Sequence, residues 1–489
     1  MSLNEIPYSN GGNRDTVCKN ETEITPKNSA AKTLPAKKLY RICLAAFWVI
    51  VAFAFLHNLS MATMYTLVTK IKMKSFRDME VHDNKFFHVD SNNDDQNSDT
   101  FVSLIDNSVH IYSAIAYNST EQYVFDSIYL SGWENRMWSR FYKPNFTCCL
   151  IYGKKNNDIM ATRVSERHNW YYVGKAKLEV KQYVCPNVLR GHNRVPVAIS
   201  LGIDKQCPKN HSKYIKIDYP QRQAEGRIAV CAKLVYENIS ASAMIEWFEY
   251  QVMMNVRKIL LYTNNLNADA MSVLRYYKSI GICEYLPFTT PPIDDNVRGV
   301  GIKNFQGWND EQVPVYDCQG KLSGYTFLGL YDVDEYVYAP EGESLTHILN
   351  SLIENHPNAA GFTFKTEIYA TTWGQDNSTD AIRDLTIGSY TMRTEAYRDR
   401  VKSIVRTDRL VPGRMSTHGY WARKPFKKPV IDESFATLKH YRTCRKEWLR
   451  KGGDRCYKTI EKIKDTSMLQ IAANIKQRVS ELKHKLGIT

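Results

Sequence analysis

Several features that would narrow the chemistry are missing from this sequence. No Cys-x-x-Cys pair occurs among its 11 cysteines, which excludes the spacing typical of structural zinc modules. Its formal charge of +14 is dispersed, with no long basic tract, which argues against nucleic acid as a partner. The excess reads instead as solubility plus attraction for anionic ligands. The acidic segment DVDEYVYAPEGE has no glycine at its sixth position, which excludes an EF-hand loop. Charge-free apolar runs long enough to matter to a bilayer are reduced to one.

That run, ICLAAFWVIVAFAFL from Ile42 to Leu56, continues with low polarity to Val68. About 20 apolar residues cross a bilayer core, so the spacing predicts a transmembrane signal anchor over 42–64. Some forty residues precede it, far more than the short leading region of a cleaved signal peptide. Lys27, Lys32, Lys37, Lys38 and Arg41 flank its start and predict a cytosolic amino terminus, hence a single-pass type II protein with its bulk in the lumen. The short, polar-interrupted span suits a thin secretory-pathway membrane better than a thick plasma membrane.

Cysteine usage agrees with a lumen. Cys148, Cys149, Cys185, Cys207, Cys231, Cys283, Cys318, Cys444 and Cys456 follow the span, so several disulfides and at least one unpaired cysteine are expected. N-glycosylation sequons stand at Asn118, Asn145, Asn210, Asn238 and Asn377. The polar tail 1–41 and stem 65–100 read as tethers. A β-rich module follows over 101–226, with strand character in SVHIYSAIAY (108–117) and NWYYVGKAKLEVKQYVC (169–185).

After Arg227 the rhythm changes. IAVCAKLVY (228–236), KILLYTNN (258–265) and ICEYLPF (282–288) read as buried strands, separated by helical patterns over 241–256 and 269–281. This alternation predicts an α/β fold with a mostly parallel central sheet and ligands beyond the carboxyl ends of its strands. FLGLYDVDEYVY belongs to a later strand that turns acidic at its end. On an extended chain Asp332 and Asp334 would project to one side, with Val333 in the core. Their repulsion would be relieved by a divalent cation of the Mg²⁺ or Mn²⁺ type. Capping or pairing with nearby lysine and arginine is the plainer reading.

Four ordered blocks carry a more specific signal: EWFEYQVMMNVRKILLYTNN (246–265), GLYDVDEYVY, KSIVR (402–406) and LKHYRTCRKEWLRKGG (438–453). They resemble glycosyltransferase family 92 from about Arg227 to about Asp465, roughly half the chain. The resemblance implies a GT-A-type nucleotide-sugar-binding domain over 227–465, an inverting mechanism, a UDP-sugar donor with galactose favoured, Mn²⁺ and a glycan acceptor. UDP-glucose or UDP-N-acetylglucosamine are alternative donors, and a non-catalytic carbohydrate-binding protein is a third reading. The family's DxD falls on Asp332 and Asp334, with Glu335 as acidic companion.

Further residues are expected around that motif. His418 is the first choice to complete the metal shell, with His440 the alternative. Arg406 and Arg442 are expected to meet phosphate through their fixed fork of donors, or else to form surface ion pairs. Glu367, near the end of GFTFKTEIYA, is the candidate base, and Asp376 the alternative, although a glycan on Asn377 would set Asp376 at the surface. Asp432 and Glu433 are further carboxylates in VIDES. Trp373 is a candidate acceptor platform, and Tyr236 and Asn264, each at a strand end, are candidate uracil or ribose contacts. Asn238 follows the first strand, so its sequon is expected to be unused. Ile475, Val479, Leu482 and Leu486 predict a carboxyl-terminal helix (466–489) that packs on the catalytic domain, with self-association left open.

Overall fold

The structure, a computed structural model, describes residues 100–118, 125–153, 159–169, 177–186, 195–236, 239–292, 308–340, 344–444, 456 and 461–488. The tail, the expected span over 42–64 and the stem except Thr100 lie outside these residues, as does Asn238. Among the described residues no helix is long and apolar enough to cross a membrane. What is described is a mixed α/β body.

Its first part is made of short antiparallel strands: β1 (Val102–Leu104), β2 (Val109–Asn118), β3 (Phe125–Asn135), β4 (Phe146–Tyr152), β5 (Ile159–Arg163), β6 (Glu166–Asn169), β7 (Leu178–Pro186), β8 (Pro196–Ile203) and β9 (Ile215–Lys216). They form sheets ordered β1-β2-β3-β7-β6 and β5-β4-β8-β9. Ile111, Leu130 and Tyr183 of one meet Cys148, Leu150, Ile199 and Leu201 of the other in one apolar core. Cys148–Cys185 and Cys149–Cys207 pin it from both faces of β4.

The second part holds β10 (Ile228–Tyr236), β11 (Lys258–Asn264), β12 (Cys283–Pro287), β13 (Phe327–Leu330), β14 (Glu335–Tyr338), β15 (Gly361–Ala370), β16 (Met392–Arg393), β17 (Tyr397–Arg406), β18 (Leu410–Ser416), β19 (Gly419–Ala422), β20 (Thr437–Arg442) and β21 (Ile463–Lys464). The large sheet runs β12-β11-β10-β13-β17-β15-β16-β21, with β20 joining β14 to β15. Strands β10 to β13 are mutually parallel, as the strand–helix rhythm predicts. Beyond β13 the pairing is mixed: β17 runs against both β13 and β15, while β15 and β20 are parallel. The sheet is therefore mixed, which corrects the expectation of a mostly parallel one. Crossover helices enforce parallel pairing only up to β13, and a buried apolar run looks the same whichever way its neighbour points.

Local chemistry sets the helices of the parallel half. Ser240 and Asn267 cap Ala241–Met253 and Ala268–Ser279 by accepting from Ala243 N–H and Ala270 N–H, and Gly281 ends the second with φ +79°. These helices, with Leu345–Asn355 and Leu469–Leu486, cover the face of the sheet that carries Ile228, Val230, Ile259 and Leu261. Ile475, Val479 and Leu482 of the last helix are buried there.

The opposite face carries Ala229, Cys231, Leu260 and Tyr262, and meets the helix Trp308–Lys321 together with Phe101, Trp133, Leu178 and Val180 of the β-sandwich. Trp133 Nε1–H donates to buried Asp310 at 2.9 Å, and Asn309 donates to the Leu178 carbonyl at 3.0 Å. Cys231–Cys318 ties β10 to the same helix. With Cys444–Cys456, four disulfides leave Cys283, buried on β12, as the unpaired cysteine among the described residues.

Candidate functional site

The acidic motif sits where the parallel strands end. FLGL forms a fully buried β13, and the chain then turns, with Glu335 N–H donating to the Asp332 carbonyl at 3.1 Å. Val333 packs against the helix-side core, but Asp332 and Asp334 lie on a turn and not on an extended strand. Their side chains consequently part company. Asp332 meets two lysines, and Asp334 meets a histidine.

Lys233 Nζ lies 2.9 Å from Asp332 Oδ1 and 3.6 Å from Glu311 of the Trp308–Lys321 helix. Lys402 Nζ lies 2.8 Å from Asp332 Oδ2 and 2.9 Å from Glu335 Oε2. Burial alone would raise the Asp332 carboxyl, but the two ammonium groups overcome it and hold the group well below its usual range. Lys233 reaches Asp332 from the middle of a buried strand because β10 shifts register between Cys231 and Leu234, and Lys233 itself takes φ +52°. A bulge of this kind re-aims a side chain. Lys233 is the one charge inside the apolar run IAVCAKLVY, and that isolated charge is the signal in the sequence that marks it.

Glu335 is 1 % exposed and both its oxygens are engaged: Oε2 by Lys402 and by Asp332 N–H at 2.7 Å, Oε1 by His440 Nδ1 at 3.4 Å. His440 stands directly across from Glu335 in the β14–β20 pair, so their side chains share a face. Its Nε2 lies 3.3 Å from Asp334 Oδ2. Burial pushes the imidazole down, but Asp334 and Glu335 more than offset this and raise it. A carboxylate on Nδ1 is the arrangement that presents Nε2 to a metal.

Asp334, Glu335 and His440 each bring a ligand atom to within 4.8 Å of the others, an oxygen and nitrogen set suited to a divalent cation. Asp334 is the most open of the three, with its side chain 46 % exposed.

His418 occupies the β18–β19 turn, its Nδ1 3.2 Å from the Val401 carbonyl oxygen. The surrounding protein and the charges of Lys402 and Lys233 push its imidazole down to about 3, so it belongs to the Asp332 side of the cluster. The ligand geometry favours His440, the second choice from sequence, over His418. Arg442 follows two residues later on the same face of β20, near enough for its charge to bear on His440. Tyr236 and Asn264 are register partners at the carboxyl ends of β10 and β11, and Asn264 donates to the Phe288 carbonyl at 2.7 Å. Trp373 lies just past β15 with Lys462 Nζ 4.9 Å from its ring, packed against the apolar cluster around Cys444 and Cys456.

Three of the expected residues lie away from this cluster, Arg406 in the surface ion pair that was its alternative. Arg406 pairs with Phe327, at the start of β13 and the opposite edge from Asp332, where it binds Asp408. The antiparallel course of β17 brings Lys402, not Arg406, to the acidic motif. Glu367 pairs with Lys439 on β20, the residue before His440, so it points to the other face of the sheet. There it is buried against Lys439 at 3.2 Å and Arg393 at 3.3 Å, which removes it as a base for this site. Asp376 caps a 3₁₀ turn, accepting from Ser378, Thr391 and Lys464, contacts that hold its carboxyl below the usual range. It is a structural cap.

A family model described as glycosyltransferase family 92 matches residues 226–479, which include every residue of the cluster. A glycosyltransferase family 92 protein of Ricinus communis is 24 % identical over 249 residues, 49 % of this chain and 39 % of that protein. A beta-1,4-galactosyltransferase of Caenorhabditis elegans is 22 % identical over 223 residues, 44 % of this chain and 49 % of that protein. The chain thus spans half or less of the length of these relatives. Among solved structures, S. aureus TarS aligns with a TM-score of 0.24 at 10 % identity, over 44 % of this chain and 60 % of that one. On the match over half its length, and on the four blocks that fall within it, the chain belongs to glycosyltransferase family 92.

Proposed function

We propose that the protein is an inverting, divalent-cation-dependent glycosyltransferase of the GT-A type that transfers galactose from UDP-galactose to a glycan on a glycoprotein or glycolipid. The observation that carries this reading is the convergence of Asp334 and His440 beyond the carboxyl end of β13, inside the family-matched segment. The nematode relative, a beta-1,4-galactosyltransferase, favours galactose as the sugar. The apolar run after Arg41 and the disulfides favour a type II protein with this domain in the Golgi lumen.

Asp334 and His440 Nε2 would hold the cation, with Glu335 fixing the histidine. A bound Mn²⁺ would supply positive charge against the donor diphosphate and the leaving nucleotide. Arg442 sets a guanidinium beside the same face for phosphate. Tyr236 and Asn264 border the crevice where a nucleoside would lie. Trp373 offers part of an aromatic face to an acceptor sugar.

The test is UDP release by the purified chain with Mn²⁺, a panel of UDP-sugars and glycan acceptors. UDP-galactose should give the highest turnover, and chelation should abolish it. Asp334→Ala and His440→Ala should each lower turnover about a hundredfold or more, the scale of losing a group that stabilises developing charge. Asp332→Ala should also be impaired, while Arg406→Ala should stay within about twofold, because its surface ion pair contributes little. Preference for UDP-glucose or UDP-N-acetylglucosamine would replace the donor. Tight glycan binding without turnover under any donor would leave a binding protein.

A further inference from the structure

The three carboxylates of the motif are not equivalent, and lysine is what separates them. Lys402, whose side chain is 1 % exposed, takes one oxygen of Asp332 at 2.8 Å and one of Glu335 at 2.9 Å. Lys233 takes the other Asp332 oxygen at 2.9 Å. Glu335 spends its remaining oxygen on His440 Nδ1. Among the described residues, the ion pair to Asp334 comes from His440 alone. From Glu311 through Lys233, Asp332, Lys402, Glu335 and His440 to Asp334 the groups alternate between acid and base.

We propose that Lys402, seconded by Lys233, is a positioning residue that selects which atoms of the motif are offered to a divalent cation. It engages Asp332 and Glu335 internally and leaves Asp334 and His440 Nε2 outward. This rests on the reading of the cluster as a cation site. An ammonium within 3 Å of a carboxylate competes directly with any other cation for its oxygens, and that competition is strong in a site of low effective dielectric. Without the Lys402 ammonium, two further oxygens, Asp332 Oδ2 and Glu335 Oε2, would become attractive to a hard cation. The ion would then bind more tightly, drawn away from the open edge at Asp334.

The experiment is a titration of the purified full chain with Mn²⁺ alone, free Mn²⁺ being read by electron paramagnetic resonance. Lys402→Met should tighten the dissociation constant about tenfold while lowering kcat for UDP release, the scale expected when one nearby like charge is removed. Lys402→Arg keeps the charge and should stay near wild type. Lys233→Met should tighten binding in the same direction. A lysine that only stabilises the fold would leave affinity unchanged or weaken it.

Unchanged or weaker Mn²⁺ binding in Lys402→Met, with intact circular dichroism, overturns the inference. If Lys402→Met does not fold, Lys233→Met decides by the same criterion, since Lys402 still holds Asp332. Absence of Mn²⁺ binding by the wild-type chain defeats the cation-site reading itself, and the inference with it.

Discussion

A single residue can report on the fold when its burial conflicts with its charge, and Glu246 does so. It lies 1 % exposed in the Ala241–Met253 helix, accepting backbone N–H bonds from Thr386 at 2.7 Å and Ile387 at 2.9 Å. Burial, only partly countered by these bonds, pushes its carboxyl up to about 7. The folded chain therefore holds a proton that the unfolded chain releases at ordinary carboxyl pH. The stability tied to that proton is complete below about pH 4.3, falls as pH rises towards 7, and then levels, a change of about 3 kcal/mol. Urea unfolding at pH 4.5 and 7.5 should show wild type losing about that much more than Glu246→Gln. Equal slopes for the two would mean that Glu246 is ionised throughout. Nothing in EWFEYQVMMN marks Glu246 as different from Glu249, because its partners arrive from 140 residues away. The DVDE carboxylates were legible for the opposite reason, since the apolar run before them left them conspicuous. His440 was legible only through a block resemblance, and Lys233 was masked by the strand around it.

At the scale of elements, strand positions were well marked and their directions were not. IAVCAKLVY and GFTFKTEIYA coincide with β10 and β15. KSIVR falls within β17, but choosing between its two basic residues required knowing that β17 opposes β13. One contact between elements also depended on what a residue lacks. Gly320, in the Trp308–Lys321 helix, lets that helix close on β2, where a Cβ would come 2.5 Å from Ile115 Cδ1 and 2.9 Å from its Cγ2. Ile115 is buried and has little room to yield. Gly320→Val should therefore destabilise the protein by about 1–3 kcal/mol, the usual cost of overpacking, and lower its melting temperature. No change on melting would mean that the two layers are more loosely joined than the contacts require.

The described part of the molecule behaves as one body in a specific sense: its β-sandwich and its large sheet complete each other's core. Phe101, Trp133, Leu178 and Val180 lie in the same cluster as Ala229, Leu260 and Leu328. A chain starting at Arg227 would expose that apolar face and leave Asp310 without its Trp133 partner. It should aggregate on expression. The intact chain should unfold in one calorimetric transition with matching calorimetric and van't Hoff enthalpies. Two resolved transitions, or a soluble and folded fragment from Arg227 onward, would contradict the shared core. The pairing of β14 with β20 carries a further consequence, in the order of synthesis. Asp334 and His440 are 106 residues apart, so the acidic turn leaves the ribosome long before its histidine exists. During that interval the carboxylates have no imidazole partner, and β14 lacks its β20 neighbour. The cluster is finished only when the late strand docks, so a nascent chain cannot bring Asp334 and His440 together before β20 has been made.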